Sequence, residues 1–555
     1  MEVTVSSSVA TKPLPSVTPE NRFFWQAGQD GVLRFQRCES CGRLRFPVAP
    51  VCPYCRSIDT VIADVSGSAT VVASTINHQQ WTPAMNPPYV VAVVSIDEDP
   101  EIRLTTNIVG IEPQQVHLGM RVRVAFELQK DVWLPLFEPT GEPDGDWTVP
   151  GPPQDPPPRS IPISDSFEHR SAITGIGLSE VGRRLMRPPL ALTIEACTAA
   201  LDDAGLDFED IDGLSTYPGT AGHGHAEGGT TALIEALRLR PTWHNGGGEM
   251  PGQIGALIAG MLAVAAGLCR HVLCFRTVWE ATYSELIREG DLLPPRGGRA
   301  SQMMEGRAPF GAMSAANWIA MTASQHFRRY GTTREQLGAI ALNGRANAAL
   351  NPAAVYRDPL TMGEYLEARL ISTPFGLYDC DVPCDGAVAV VISARELAND
   401  RPRPPVLIDA VGTRIADRLS WDQGTLTHEP QVFGPAQHLW TRTSLSQADV
   451  DVAQLYDGFT FNCLTWLEAL GFCEVGEGGP FVEGGRRIAL DGELPLNTGG
   501  GQLSAGRLHG FGLIHEAVLQ LRGDGGGRQV EGAEVAVVGT GGGVPGGCAL
   551  FTVDR

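Results

Sequence analysis

The sequence predicts a two-part chain: a small all-β module organised around a metal, then a larger α/β domain made of two similar halves. Three observations predict it: two C-x-x-C pairs near the start, a proline-dense stretch after residue 138, and a strand–helix alternation that recurs beyond it. At 555 residues the chain exceeds the roughly 250 to 300 at which a single core stops growing, so several domains are expected. Hydrophobic residues make up 43% and charged residues 19%, an ordinary globular composition. The longest apolar stretch, Ala256 to Leu268, falls short of the ~20 residues that span a bilayer, so no membrane segment is expected. A net charge of −21 argues against nucleic-acid partners, because phosphate contacts need concentrated Lys and Arg. Arg170, Arg183, Arg184 and Arg187 could still make a local anion site or a solvated helix entrance.

Residues 1–20 have neither a basic start nor an apolar h-region and read as a flexible cytoplasmic tail. Twelve cysteines without a secretory leader then suggest reduced thiols, not a disulfide framework. Within residues 21–60, Cys38-Glu-Ser-Cys41 and Cys52-Pro-Tyr-Cys55 stand ten residues apart. Each C-x-x-C turn presents two thiolates to one ion, and four sulfurs complete a tetrahedral zinc with no open position. The expected zinc is therefore structural. Over residues 61–137 the strand-like runs Ala69 to Thr75, Val90 to Ile96 and Val122 to Phe126 suggest a small OB-type barrel. From Phe23 to Leu128, beginning FFWQAG and including LRFQRCESCGRLRFPVAPVCPYC, the module resembles the rubredoxin-like zinc-ribbon and OB-fold modules associated with acyl-CoA enzymes.

Residues 138–165 form a linker: Glu138 to Pro162 carries nine prolines, a density that excludes helix and central strand and predicts an extended, semi-rigid tether. The α/β domain follows over residues 166–555. Helical text from Leu190 through Leu201 stops at Gly205 and leads into the strand IDGLSTY. A second set begins with VLIDAVG near residue 406, continues with helical text from Thr460 to Leu470, and ends with the strands VAVVGT and CALFTV. Two halves, about 166–400 and 401–555, are expected.

Three stretches then carry a resemblance. SAITGIGLSEVGRRLMRPPLALTIEACTAALDDAGLDFEDIDGL, YDCDVPCDGAVAVVISA and YDGFTFNCLTWLEALGFCEVGEGGPFVEGG are similar to the sterol-carrier branch of the thiolase superfamily, a likeness covering residues 170 to 555. It implies the αβαβα thiolase fold, a homodimer, and acyl-CoA thioesters as substrates. It also implies positions at which thiolase chemistry can be checked. The nucleophilic cysteine would fall near Glu249 or Met250, and a second cysteine ahead of Gly539-Thr-Gly-Gly-Gly543; neither is present. Where the family has H-D-x-F the chain has Tyr456-Asp457-Gly458-Phe459, and where it has G-H-P the chain has Gly506-Arg507-Leu508-His509-Gly510. Functional groups replace functional groups.

Without a thiolate no acyl enzyme can form, but a thioester-binding pocket can still stabilise an enolate, and that points to aldol chemistry. Tyr456 is the candidate proton-transfer group and His509 the second. Arg507 would lower the phenol pKa, which is near 10 when free, or hold charge. Asp457 would orient one of them or cap the following helix. Asn497-Thr-Gly-Gly-Gly501 is expected to shape the pocket backbone. Cys197, Cys269, Cys274 and Cys548 read as buried filling, as do Cys380, Cys384, Cys463 and Cys473. His223 and His225 lack an evident third ligand and read as a substrate-facing loop. A cysteine-less thiolase-like domain joined to such a module resembles the aldolases that remove steroid side chains. That resemblance implies retro-aldol cleavage of a 17-hydroxysteroid carboxyl-CoA to a 17-ketosteroid and propionyl-CoA, with CoA as part of the substrate. The alternatives are a non-catalytic acyl-CoA or lipid binder and a C–C bond-forming acyltransferase, the latter requiring a nucleophile the sequence lacks.

Overall fold

The computed structural model describes residues 12–152, 166–217, 226–247, 251–292, 298–429, 431–542 and 545–553. The first module starts on an aromatic cluster, Phe24, Trp25, Phe35 and Phe46, with ring centroids 4.8 to 5.9 Å apart. Around it three antiparallel strands, β1 (Leu33–Cys38), β2 (Leu44–Arg45) and β3 (Thr60–Val65), carry the cysteine knuckles. The barrel follows as β4 (Ser68–Asn77), β5 (Tyr89–Ile96), β6 (Asp99–Thr106), β7 (Arg121–Gln129) and β8 (Val132–Pro139). β4 pairs with both β5 and β7, and a bridge between Ile108 and Phe137 draws the two ends of the curl together. Alternation along β4 and β5 points Ala69, Val71, Val90, Ala92 and Val94 into the barrel. Val72, Ala73, Val91 and Val93 face the other way and are also buried. A barrel strand buried on both faces needs a cover, which explains why the run Val90-Val91-Ala92-Val93-Val94 is continuously apolar.

The cover is the larger domain. Its first half contains β9 (Ser171–Leu178), α1 (Pro189–Ala204), β10 (Gly213–Thr216), β11 (Trp243–Asn245), α2 (Gly255–Ala265), β12 (His271–Trp279), α3 (Glu280–Glu289) and α4 (Ala315–Tyr330). A short hairpin, β13 (Leu370–Ser372) and β14 (Phe375–Gly376), stands off the main sheet before β15 (Asp385–Ala394). The second half contains β16 (Val406–Gly412), β17 (Val452–Leu455), α5 (Thr460–Ala469), α6 (Phe511–Arg522), β18 (Val535–Thr540) and β19 (Gly547–Val553). The sheet order, β11-β10-β12-β15-β9-β16-β19-β18-β17, shows the repeat directly. Outward from the seam each half runs first strand, last strand, third, second, with β11 added at one edge. Each half holds antiparallel pairs next to a parallel pair, β10 with β12 and β17 with β18. Two residue pairs, Ile173 with Val406 and Ala172 with Leu407, join the halves.

α2 is buried nearly all round, as its unbroken apolar sequence requires of a helix inside the layers. α6 touches strands of both halves, β17, β18 and β19 on one side and β15 and β9 on the other. The starts of these two helices meet the end of β18: the Ile254 amide donates to Thr540 Oγ1 at 3.1 Å, and a Cβ on Gly510 would sit 3.0 Å from the Thr540 methyl. The fold thus brings the two glycine-rich helix entrances to one place.

The proline-rich stretch is not a free spacer in its described part. Its Gly145 amide donates to Gly119 O at 2.8 Å, Arg329 Nη1 donates to Val149 O at 2.8 Å, and Val149 is buried between barrel and domain. Apolar area at Val149 and the strap's hydrogen bonds to both sides hold it down, so the tether expected from proline density is a seated strap through Pro152. Residues 153–165 lie outside the described residues. The two modules touch directly as well. β4 runs on into β13, pairing Asn77 with Ser372, and the buried Asn317 amide of α4 donates to Asn77 Oδ1 at 2.9 Å and Ser372 Oγ at 3.1 Å.

Candidate active site

Tyr456 leaves the end of β17 with its amide on Gly539 O at 2.9 Å, and its ring is 6% exposed. The ring lies in a cradle that only glycines can form. A Cβ on Gly458 would come within 2.6 Å of Tyr456 Cε1, and one on Gly542 within 2.5 Å of the same atom. Phe459 then stacks on Phe375, centroids 5.5 Å apart, and α5 begins. Asp457 turns away from the phenol and does not cap that helix. Its carboxylate accepts from the Gln502 amide at 2.8 Å and the Leu503 amide at 3.5 Å, inside the π-helical turn Gly501–Ala505. Gly501 is at φ +58°, and a Cβ there would meet Asp457 Oδ2 at 1.9 Å. Burial pushes the Asp457 carboxyl up to about 6, against the pull of those amides. Asp457 therefore fixes the loop Asn497–Gly506, while Asn497, itself at φ +48°, donates back to Leu455 O at 2.9 Å.

That loop delivers Arg507 and His509. Arg507 Nη1 donates to Asp381 Oδ1 at 3.1 Å and Nη2 to Glu280 at the start of α3, and the Tyr456 phenol lies within its electrostatic range. Burial disfavours its charge, but the two carboxylates outweigh burial and hold the guanidinium firmly protonated. His509 is held at φ +47° by Tyr217, whose hydroxyl donates to His509 O at 2.7 Å. Its Nδ1 meets Arg276 Nη2 at 2.9 Å and its Nε2 faces Glu280 Oε1 at 3.6 Å. Tyr456, Arg507 and His509 thus share one site, and Asp457 supports it from behind.

Three members of the site, Asp381, Glu280 and Arg276, do not stand out from spacing alone. Asp381 lies in the stretch Tyr-Asp-Cys-Asp-Val-Pro-Cys-Asp, and three carboxylates in an otherwise largely apolar segment were the available signal. Its neighbour Asp379 is structural, accepting from Thr460 Oγ1 at 2.6 Å and the Gly376 amide at 2.8 Å. Burial pushes the Asp381 carboxyl up to about 7, with Glu280 and Asp457 reinforcing and Arg507 opposing. Arg276 interrupts the apolar strand His-Val-Leu-Cys-Phe-Arg-Thr-Val-Trp, a signal in itself. Glu280 becomes visible only in three dimensions.

Burial pushes the thiols of Cys380, Cys384 and Cys463 well above their usual value, the opposite of what a nucleophile requires. Cys197, Cys274 and Cys548 are fully buried, as filling should be. Glu249, Met250, Gly543, His223 and His225 lie outside the described residues. Three of the four arginines are engaged: Arg183 donates to Tyr356 Oη at 2.6 Å, Arg184 pairs with Glu285 at 2.9 Å, and Arg187 with Glu195 at 2.5 Å.

In the zinc module the sulfurs of Cys38 and Cys55 are 3.5 Å apart and those of Cys41 and Cys52 3.6 Å, with all four within 4.8 Å. Tetrahedral Zn–S bonds of about 2.3 Å place sulfurs ~3.8 Å apart, so the donor set fits a structural zinc. Gly42 at φ +76° and Arg56 at φ +65° close the two knuckles. A second ligand-type group, His326, His428 and Glu468, is closed on itself. Each Nε2 meets a Glu468 oxygen, His326 at 3.2 Å, and each Nδ1 a threonine hydroxyl, Thr332 at 2.8 Å and Thr427 at 3.0 Å. Burial works against the Glu468 charge, yet the two imidazoles hold it down at about 2. It pins α4 to α5.

Fold and site together define a thiolase-fold protein whose nucleophile is absent and whose zinc ribbon and OB barrel are built into the same chain. Family models agree along the chain: a ChsH2 rubredoxin-like zinc ribbon domain over residues 25–59, a ChsH2 C-terminal OB-fold domain over 63–127, and a thiolase C-terminal domain-like model over 429–548. The steroid side-chain-cleaving aldolase of Thermomonospora curvata is 35% identical over 363 residues, 64% of this chain and 90% of that protein. The 17-hydroxy-3-oxo-4-pregnene-20-carboxyl-CoA lyase of Mycobacterium tuberculosis is 34% identical over 385 residues, 68% of this chain and 97% of that protein. The solved structure of an Ltp2-ChsH2(DUF35) aldolase is 31% identical and superposes with a TM-score of 0.61, covering 70% of this chain and 98% of that one. The chain belongs to this family of thiolase-fold aldolases.

Proposed function

We propose that the protein is a carbon–carbon lyase that cleaves a β-hydroxyacyl-CoA by a retro-aldol reaction, with a 17-hydroxysteroid carboxyl-CoA as substrate and a 17-ketosteroid and propionyl-CoA as products. The observation that carries the reading is a thiolase-type pocket in which Tyr456 and Arg507 stand where the acid-base residues belong and no cysteine is poised to be acylated. A base takes the β-hydroxyl proton, the oxygen pair forms the ketone as the Cα–Cβ bond breaks, and the released pair forms the thioester enolate. Protonation at Cα completes the acyl-CoA.

In this reading Tyr456 moves the proton. Arg507, anchored by Asp381 and Glu280, keeps positive charge beside the phenol and favours its ionised form. Asp381, with its carboxyl pushed up to about 7, can carry a proton at neutral pH. Asp457 positions the loop, and Cys38, Cys41, Cys52 and Cys55 hold the zinc that keeps the ribbon folded. We further assign residues 21–60 to the ribbon, 61–137 to the barrel and 166–555 to the thiolase-like domain, in a cytoplasmic homodimer. No helix among the described residues is long and apolar enough to cross a membrane. Incubation with a panel of β-hydroxyacyl-CoAs tests the reading. Ketone and a shorter acyl-CoA in equal amounts are expected; tight binding without turnover would favour a non-catalytic acyl-CoA binder instead.

A further inference from the structure

Arg276 sits mid-strand on β12 and is 3% exposed. One arm of its guanidinium donates to His509 Nδ1 at 2.9 Å, and its face lies 5.3 Å from the Tyr217 ring. Its Nε and Nη1 groups are buried without a hydrogen-bond partner. A guanidinium has five donors, no acceptor and no accessible deprotonated state, so a buried one with unmade bonds is a site waiting for an acceptor. Glu227 is the neighbouring buried carboxyl: burial pushes its pKa up, against the pull of Arg276.

The contact also fixes the chemistry of His509. Because Arg276 can only donate, Nδ1 is the acceptor and the ring proton resides on Nε2. An imidazole held in this way cannot take a proton at Nδ1 without losing Arg276. His509 therefore presents Nε2 as a hydrogen-bond donor on the Glu280 side.

We propose that Arg276 is the anion-binding residue of the active site: it locks His509 as the neutral Nε2–H tautomer and offers its own unpaired N–H groups to the enolate oxygen formed on the acyl thioester. The inference rests on the retro-aldol reading, which requires such an enolate, and assigns its negative oxygen to the β12 side of the pocket. Against His509 stand Arg276 on β12, Tyr217 after β10 and Glu280 on α3. Arg276 reaches the ring nitrogen Nδ1 at hydrogen-bond distance.

The half-reaction tests it. In D2O, propionyl-CoA exchanges its α-hydrogens only through the enolate, and mass spectrometry reads the exchange. The wild-type protein is expected to catalyse it, and Arg276→Lys to lose about 10²–10³-fold in kcat with KM changed by less than about threefold, because an ammonium cannot serve His509 and an oxyanion together. In Arg276→Gln the residual rate should acquire an ionisation near the ordinary histidine value of about 6.5, absent when His509→Asn is added. Should Arg276→Gln fail to fold, Arg276→Lys retains the buried charge and carries the test. Exchange and cleavage within about threefold of wild type in Arg276→Lys would overturn the assignment and leave the lyase reading standing. A wild-type protein that neither exchanges propionyl-CoA nor cleaves any β-hydroxyacyl-CoA would overturn both.

Discussion

Tyr456 carries proton transfer in this account, and its ring sits in a glycine cradle that a phenylalanine fills equally well. Tyr456→Phe should therefore cut cleavage by about 10²–10⁴-fold while leaving the melting temperature almost unchanged. Full activity in that variant would remove the mechanism. Asp381 gives a pH prediction. Its folded pKa of about 7 lies above the unfolded value, so the folded state binds the extra proton, and stability from this group falls as pH rises from about 4 to 7. Urea unfolding at pH 5 and pH 8 should show a loss on the order of a few kcal/mol that Asp381→Asn diminishes. The Tyr456-Asp457-Gly458-Phe459 and Gly506–Gly510 segments were legible because motif positions mark them. Glu280 was not, since its meaning depends on β12 and the glycine loop meeting, and Asp457 was legible as present but not in its direction.

At the scale of elements, strand alternation, helix stops and the paired C-x-x-C turns were readable because each depends on near neighbours. α1, for example, ends at Ala204 where Gly205 takes φ +62°. The strap past Pro139 was not readable, since proline density fixes an extended backbone but says nothing about what the chain lies against. Two predictions belong here. Serine at both Cys38 and Cys41 should reduce bound zinc from one per chain to near zero by atomic emission, with loss of the ribbon's fold. Retained zinc would refute the ligand set. Asn317→Ala removes the buried amide that ties Asn77 of the barrel to Ser372 of the hairpin, and should cost about 1–3 kcal/mol in urea unfolding.

At the scale of the whole molecule, β4 pairs with β13, and the hairpin β13–β14 leads within a few residues to Asp379 and Asp381. The barrel thus buttresses the segment that anchors Arg507, which gives a physical reason for the two modules to share one chain. The repeated half-sheet supplies the rest, bringing the entrances of α2 and α6 together at the end of β18. On the proposed reading, what distinguishes the molecule is a pocket that holds an enolate without a sulfur to carry an acyl group. The most direct measurement is rapid quench of a 17-hydroxysteroid carboxyl-CoA turnover, with ketone release and the intact mass of the protein read from the same samples. The account predicts stoichiometric 17-ketosteroid and propionyl-CoA with the protein mass unchanged at every time point. A transient adduct of acyl mass on the chain would contradict it.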